Sequence, residues 1–199
     1  MEHVTVKDLV LGSGGVLVSG RAEAPVSHIR LDSRQVEPGD LFVPLLGERV
    51  DSHRFLPQVM GQGAAAVLTS QELTLPEDGD GCAVIRVEDT KKALQKIGSY
   101  LRDRLTLPLV GVTGSVGKTT TREMIAAALS ARFRVYKTPG NSNSQVGVPV
   151  TLSEITENDQ VGVIELGMSE PGEMTVIAKI ARVDMAVITN IGITHIGQL

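Results

Sequence analysis

Apolar residues in the first half of the chain fall in short runs broken by turn formers: Val16-Leu17-Val18, Ile29-Arg30-Leu31, Leu41-Phe42-Val43, Ala64-Ala65-Ala66-Val67-Leu68 and Ala83-Val84-Ile85-Arg86-Val87. Runs of this length predict strands. Helical pieces are expected over Thr5 to Leu11 and His53 to Met60, which makes this half a small mixed α/β domain. From Asp89 to Arg104 the apolar positions Ala93, Leu94, Ile97, Leu101 and Leu105 recur at helical spacing, with Asp89 or Thr90 as N-cap. Lys91, Lys92, Lys96, Arg102 and Arg104 then read as the solvated face of an amphipathic helix. Leu107-Pro108 ends the pattern and marks a domain boundary.

Beyond Pro108 the rhythm changes to strand, glycine loop, helix and strand. Leu109-Val110-Gly111-Val112-Thr113 leads into the loop, a helix is expected from Thr119 to Ala131, and Arg134-Val135-Tyr136-Lys137 follows. Further strands are expected at Val161 to Glu165 and Met185 to Thr189, with a helix near Glu173 to Ala181 between them. Such alternation predicts a parallel sheet with helices on its faces. The expected fold class is therefore α/β: a small mixed α/β N-terminal domain, residues 1–106, followed by a P-loop-type parallel-sheet domain, residues 107–199. The chain stops at Leu199 shortly after a strand, so the second domain is expected to be incomplete and the chain a fragment.

Composition narrows the function classes. At 199 residues, 42% hydrophobic and 21% charged, the chain is expected to fold rather than remain disordered. A net charge of -4 with no long basic run argues against a nucleic-acid partner. The single Cys82 cannot form an internal disulfide or a cysteine metal motif, which fits a reducing cytoplasm. Met1-Glu2-His3-Val4 does not begin a secretory leader and no run approaches a membrane span, so a cytoplasmic monomer without membrane insertion is expected. With aromatics at 3% and no Trp, the core must be aliphatic, as suits a parallel sheet.

The chemistry concentrates at Gly114-Ser115-Val116-Gly117-Lys118-Thr119, a glycine loop between a buried-type strand and a helix. Backbone N–H groups at a helix N-terminus suit a triphosphate, Lys118 would reach its β- and γ-phosphates, and the Thr119 hydroxyl would ligate Mg²⁺. A strict G-x-x-x-x-G-K-[ST] loop requires glycine where Val112 stands, and the bland alternative is a glycine turn with an exposed lysine. By itself the loop implies ATP or GTP. Glu165 ends a strand at the sheet edge where ligands of open α/β folds collect, and is either a Mg²⁺ ligand or an ordinary charged strand end. His195 follows the strand ending at Thr189-Asn190 and reaches the same edge, although a lone His there is more often structural. Asn141 and Asn143 sit in a polar loop and either bind a substrate or order the loop. His28 and His53 have no partners at a recognisable spacing and read as structural, and Met168 and Met174 as packing residues.

Thr113 to Thr120 resembles the shorter T-G-S-x-G-K-T-T phosphate loop of the Mur ligase family, which accounts for the missing first glycine. Thr138-Pro139-Gly140-Asn141-Ser142-Asn143-Ser144, Glu165-Leu166-Gly167-Met168-Ser169-Glu170-Pro171-Gly172-Glu173 and Thr189-Asn190-Ile191-Gly192-Ile193-Thr194-His195 look like the MurF type within that family. Asp32-Ser33-Arg34-Gln35-Val36-Glu37-Pro38-Gly39-Asp40-Leu41-Phe42 is similar to the uridine-nucleotide-binding domain shared by the MurE and MurF types. The pattern is left at Ser144, where a second Asn is usual, and at Gly197, where Glu is frequent.

The resemblance implies an ATP- and Mg²⁺-dependent ligase of peptidoglycan synthesis that adds D-alanyl-D-alanine to UDP-N-acetylmuramoyl-tripeptide through an acyl phosphate. It implies nucleotide binding by Thr113, Gly114, Ser115, Val116, Gly117, Lys118, Thr119 and Thr120, catalytic roles for Lys118, Glu165 and His195, and metal ligation by Thr119, Glu165 and His195. Substrate contacts would come from Ser33, Arg34, Asn141 and Asn143, while Asp32 and Arg34 could equally form a surface pair. The family's carboxylated lysine and C-terminal domain are expected beyond Leu199, so the isolated chain is expected to be inactive. The alternatives are a non-catalytic module that binds a nucleotide or UDP-sugar, and a MurE-type ligase adding a single amino acid.

Overall fold

A capping box opens the chain's first helix, α1 (Val6–Ser13): the Asp8 N–H donates to the Thr5 hydroxyl, and the Asp8 carboxylate accepts from the Thr5 N–H at 2.8 Å. The computed structural model describes residues 1, 3–47, 50–73 and 81–192. They divide into two units, Met1–Ile97 and Gly98–Leu199.

In the first unit, β1 (Val16–Ser19), β2 (Ile29–Arg30), β3 (Leu41–Phe42), β4 (Ala66–Thr69) and β5 (Ala83–Arg86) form one sheet in the order β1-β5-β4-β3-β2. Strands β2 to β5 are parallel, and β1 closes one edge antiparallel to β5. All five apolar runs are strands. Phe42, Val67 and Val84 of the sheet pack with Leu56 and Val59 of α2 (Leu56–Gly61), each large buried side chain contributing on the order of 2 kcal/mol. The helix expected from His53 is divided, because Ser52–Phe55 is a 3₁₀ turn capped by Asp51 and Pro57 lies in the first turn of α2. His53 does have a local partner: its Nδ1 lies 2.6 Å from the Asp51 carboxylate, and its Nε2 accepts from the Ser70 N–H at 3.3 Å. Burial pushes the pKa of the half-buried Cys82 thiol up to about 12.

Helix α3 (Thr90–Arg104) crosses the division between the units. Arg102 departs from the solvated face expected of it. Its side chain is 12% exposed, and it donates to the Ala181, Arg182 and Leu105 carbonyls and to Asp184. Asp184 also accepts from the Leu109 N–H at 2.8 Å, which fixes the start of the next strand.

That strand is β6 (Leu109–Thr113), followed by α4 (Lys118–Ser130), β7 (Val135–Lys137), α5 (Gly147–Glu154), β8 (Val161–Glu165), α6 (Glu173–Ala181) and β9 (Met185–Ile188). The sheet is parallel throughout, in the order β7-β8-β6-β9. Period-two alternation sends Val112 and Val163 to Ala126 of α4, and Leu109 and Ile164 to Val148, Leu152, Ile177 and Ile180 of α5 and α6. Helix α5 is not among the elements expected from the sequence, and it opens with two residues, Gly147 and Pro149, that disfavour a helix interior. Pro149 lies in the helix's first turn, where no N–H bond is lost. Among the described residues, no helix is long and apolar enough to cross a membrane.

Gly98 of α3 lets α5 approach closely, since a Cβ there would lie 2.8 Å from Pro149 Cβ and 2.9 Å from its Cα. Gly98→Val is expected to lower stability by about 1–3 kcal/mol through overpacking, seen as a lower urea midpoint. An unchanged midpoint would contradict the close contact.

Candidate active site

The sheet order places the site. Strand β6 lies between β8 and β9, so the loops that leave the C-terminal ends of these strands share one edge at the point where the connections change direction. A cavity of about 280 Å³ at this edge is lined by Thr113, Gly114, Ser115 and Lys118 after β6, Met168 and Met174 after β8, and Ile188, Asn190, Ile191 and Gly192 at the end of β9. The two methionines therefore line the cavity, beyond the packing part expected of them.

The glycine loop joins β6 to α4 with backbone angles that need glycine. Gly114 has φ 135°, and a Cβ there would fall 2.1 Å from Thr189 Oγ1 and 2.9 Å from the Asn190 carbonyl oxygen. Gly117, at φ 82°, precedes α4 without capping it through a side chain, so the positive end of the helix is not neutralised by a cap of its own. Lys118 Nζ donates to the Gly114 carbonyl at 2.8 Å. Thr120 is exposed at the same helix start.

The loop after β9 laces this turn in place. The Ser115 N–H donates to the Asn190 carbonyl at 3.1 Å, and the Val116 N–H donates to Asn190 Oδ1 at 3.0 Å. Thr189 Oγ1 donates to the Val116 carbonyl at 2.6 Å, and the Ser115 hydroxyl donates to the Gly192 carbonyl at 2.9 Å. Two N–H groups of a phosphate-type loop are thus held by one asparagine.

Below the loop lies Glu165, 2% exposed at the end of β8. Its odd-numbered parity with Val161 and Val163 turns it toward α4. Helix α4 presents Thr119, Arg122 and Ala126 at intervals of three and four residues, which form one stripe. Glu165 Oε2 accepts from Thr119 Oγ1 at 3.0 Å and from Arg122 at 3.2 Å, and Oε1 accepts from Asn143 Nδ2 at 2.8 Å. The Glu165 N–H donates to the Thr138 hydroxyl at 2.9 Å. Arg122, 4% exposed, also donates to the Gly140 carbonyl at 3.1 Å and to Glu123 at 2.7 Å. The Lys137 ammonium, and after it the Arg122 guanidinium, hold the Glu123 carboxyl below its usual range.

Glu173 fixes the neighbouring loop. Its Oε2 accepts from the Ser169 N–H at 2.6 Å and the Glu170 N–H at 3.1 Å, and its Oε1 accepts from Gln145 at 2.9 Å. Glu165 and Glu173, the ends of one sequence motif, therefore each hold a residue of the polar 138–147 loop.

Of the residues singled out in the sequence, Thr119, Glu165 and Asn143 meet here, while Lys118 lines the cavity and turns its ammonium to the Gly114 carbonyl. Asn141 is exposed and its carbonyl accepts from the Asn143 N–H at 2.8 Å, so among the described residues it is tied to the cluster through its backbone. His195 lies outside the described residues, as does Gly197. Ser33 and Arg34 belong to the first unit. Ser33 is buried, while the Arg34 side chain is 84% exposed and pairs with Asp32 at 2.6 Å, a bond that holds the Asp32 carboxyl down at about 2. Arg122 escaped the sequence reading, although its place on the Thr119–Ala126 stripe marks it as inward-facing.

Comparison with known proteins gives two family matches: residues 112–199 match the Mur ligase middle domain, and residues 25–101 match the Mur ligase family catalytic domain. Among curated relatives, the UDP-N-acetylmuramoyl-tripeptide--D-alanyl-D-alanine ligase of Bacillus subtilis (strain 168) is 42% identical over 98% of this chain and 42% of its own length. The protein of the same name from Synechocystis is 44% identical over 87% of this chain and 38% of its own length. A crystal structure of MurF from Acinetobacter baumannii superposes with a TM-score of 0.87 at 35% identity, covering 98% of this chain and 42% of that one. MurF ligase from Thermotoga maritima, solved in complex with ADP, superposes at 0.73 and 34% identity over 84% of this chain and 38% of its own. The chain thus spans about two fifths of the length of these relatives.

The two loop glycines are expected to differ in tolerance. Gly114→Ala combines a disallowed angle with the Thr189 collision and is expected to cost about 1–3 kcal/mol. At Gly117, where the nearest contact to a Cβ is 4.0 Å, alanine is expected to cost only the left-handed strain of about 1–2 kcal/mol. Chemical denaturation of both variants tests the order, and a larger loss at Gly117 would contradict the lacing.

Proposed function

The chain belongs to the Mur ligase family, and from that premise we propose that it is part of an ATP-dependent ligase that adds D-alanyl-D-alanine to UDP-N-acetylmuramoyl-tripeptide. The observation that carries the reading is the Thr119–Glu165 contact of 3.0 Å beneath an uncapped helix start. A hydroxyl and a carboxylate are hard oxygen donors of the kind Mg²⁺ takes, and this ion usually completes its shell with water and phosphate oxygens. Among the described residues no three His, Cys, Asp or Glu side chains cluster to hold a metal by themselves. A metal bound jointly by protein and nucleotide fits that donor set.

In this reading Thr119 and Glu165 hold Mg²⁺, with His195 as a further ligand, and the ion would neutralise phosphate charge during transfer. Thr113 to Thr120 cradle ATP, and the Lys118 ammonium stabilises the charge on the moving γ-phosphoryl group. Transfer of that group to the tripeptide carboxylate gives an acyl phosphate. The D-alanyl-D-alanine amine then attacks the acyl carbon, and ADP and phosphate leave. Asn141 and Asn143 contact the acceptor, and Ser33 and Arg34 the UDP moiety, with residues 1–106 as the UDP-substrate domain and 107–199 as part of the ATP-binding domain. A cytoplasmic monomer accompanies this assignment.

Lys118→Ala is expected to abolish ADP and ATP binding in calorimetry, and unchanged affinity would contradict the loop assignment. The ligase itself is tested in the full-length protein by phosphate release. Release that requires ATP, the UDP-tripeptide and D-alanyl-D-alanine together supports the reading. Acceptance of a single amino acid in place of the dipeptide would assign the chain to the MurE type, and nucleotide binding without turnover would reduce it to a binding module.

A further inference from the structure

Glu165 is already neutralised from within the protein. Its Oε2, the oxygen bonded to Thr119, also accepts from the Arg122 guanidinium at 3.2 Å, and the two side chains are 3% and 5% exposed. A buried carboxylate without a cation would be strongly disfavoured, so the pair is a condition of this fold in the absence of metal. A divalent cation placed between Thr119 and Glu165 would meet the same oxygen. It would have to displace the guanidinium from Oε2 or share that oxygen with a second positive charge.

Arg122 is equipped to be displaced without being released. Its other bonds run to the Gly140 carbonyl and to Glu123, and Glu123 pairs with Lys137 as well. Its Nε is buried with no hydrogen-bond partner among the described residues, so the guanidinium is not saturated in its present position. Gly140 belongs to the 138–147 loop, which Glu165 also grips through Asn143.

Building on the proposed function, we propose that Arg122 is a positioning residue that acts as the internal counter-ion of Glu165. It keeps the carboxylate from capturing a divalent cation until nucleotide phosphates arrive to share the metal. Its transfer away from Oε2 carries the change to the 138–147 loop through Gly140. Metal binding and loop position are thereby coupled through one side chain. Removing the charge frees the carboxylate, so apo stability falls while metal affinity rises.

The test is a magnesium titration of the 199-residue chain followed by melting temperature, without nucleotide and with saturating ADP, for the parent, Arg122→Gln and Arg122→Lys. Arg122→Gln is expected to melt lower without metal, yet to respond to magnesium alone with a midpoint roughly tenfold below the parent's. Arg122→Lys, which keeps the charge, is expected to stay within about threefold of the parent. A purely structural arginine would lower the melting temperature of the glutamine variant and leave its magnesium midpoint unchanged, which would overturn the inference. A parent that shows no magnesium dependence even with ADP would overturn the proposed function as well. If Arg122→Gln does not fold, arginine side-chain NMR of the parent decides. Mg·ADP is expected to shift the Arg122 Nε–H signal, and a signal unmoved at saturation would overturn the proposal.

Discussion

The second unit is organised around one buried carboxylate. Glu165 ends the fully covered strand β8, where an isolated ionised group would cost several kcal/mol, and the surrounding sequence supplies what keeps it there. Thr119 and Arg122 come from the helix that follows the glycine loop, Asn143 from the polar loop, and Thr138 holds its backbone. The four partners thus come from two segments, α4 and the 138–147 loop. The carboxylate therefore ties the start of α4, just after the glycine loop, to the 138–147 loop.

Sheet topology makes that convergence possible. With β6 between β8 and β9, three loops that are far apart in sequence open on one edge, and the ordinary alternation of side chains turns Glu165 to the α4 face. Tight contacts then fix the loops. Gly114 has no room for a methyl group beside Thr189, and Asn190 occupies the N–H groups of Ser115 and Val116. A ligand phosphate would compete with that asparagine for the same donors. Two N–H groups of the loop are accordingly already engaged, and a phosphate that used them would exchange internal bonds for external ones.

Much of this was legible in the sequence, because periodicity and glycine chemistry are local. Among the described residues, the nine strands and most helices follow from the hydrophobic pattern, and the glycine loop, Lys118, Thr119 and Glu165 lie where the strand and helix pattern puts them. What escaped depended on context. Pro149 looks like a breaker unless the helix is known to start two residues earlier. Arg102 and Arg122 look like surface charges, since burial of an arginine is set by carbonyls and carboxylates distant in sequence, such as those of Ala181, Asp184 and Glu165. The lacing by Asn190 is likewise a contact across more than seventy residues. His53 is the exception, since Asp51 stands only two positions away and capping chemistry alone could have paired them.

The Thr119–Glu165 pair and the glycine loop are proposed to form one site for a nucleotide with its metal. The most direct measurement is calorimetric titration of ADP into the chain with magnesium present and with the metal removed by chelation. Binding is expected to weaken by at least about tenfold without magnesium. ADP binding of equal strength in the absence of metal, or no binding under either condition, would contradict it.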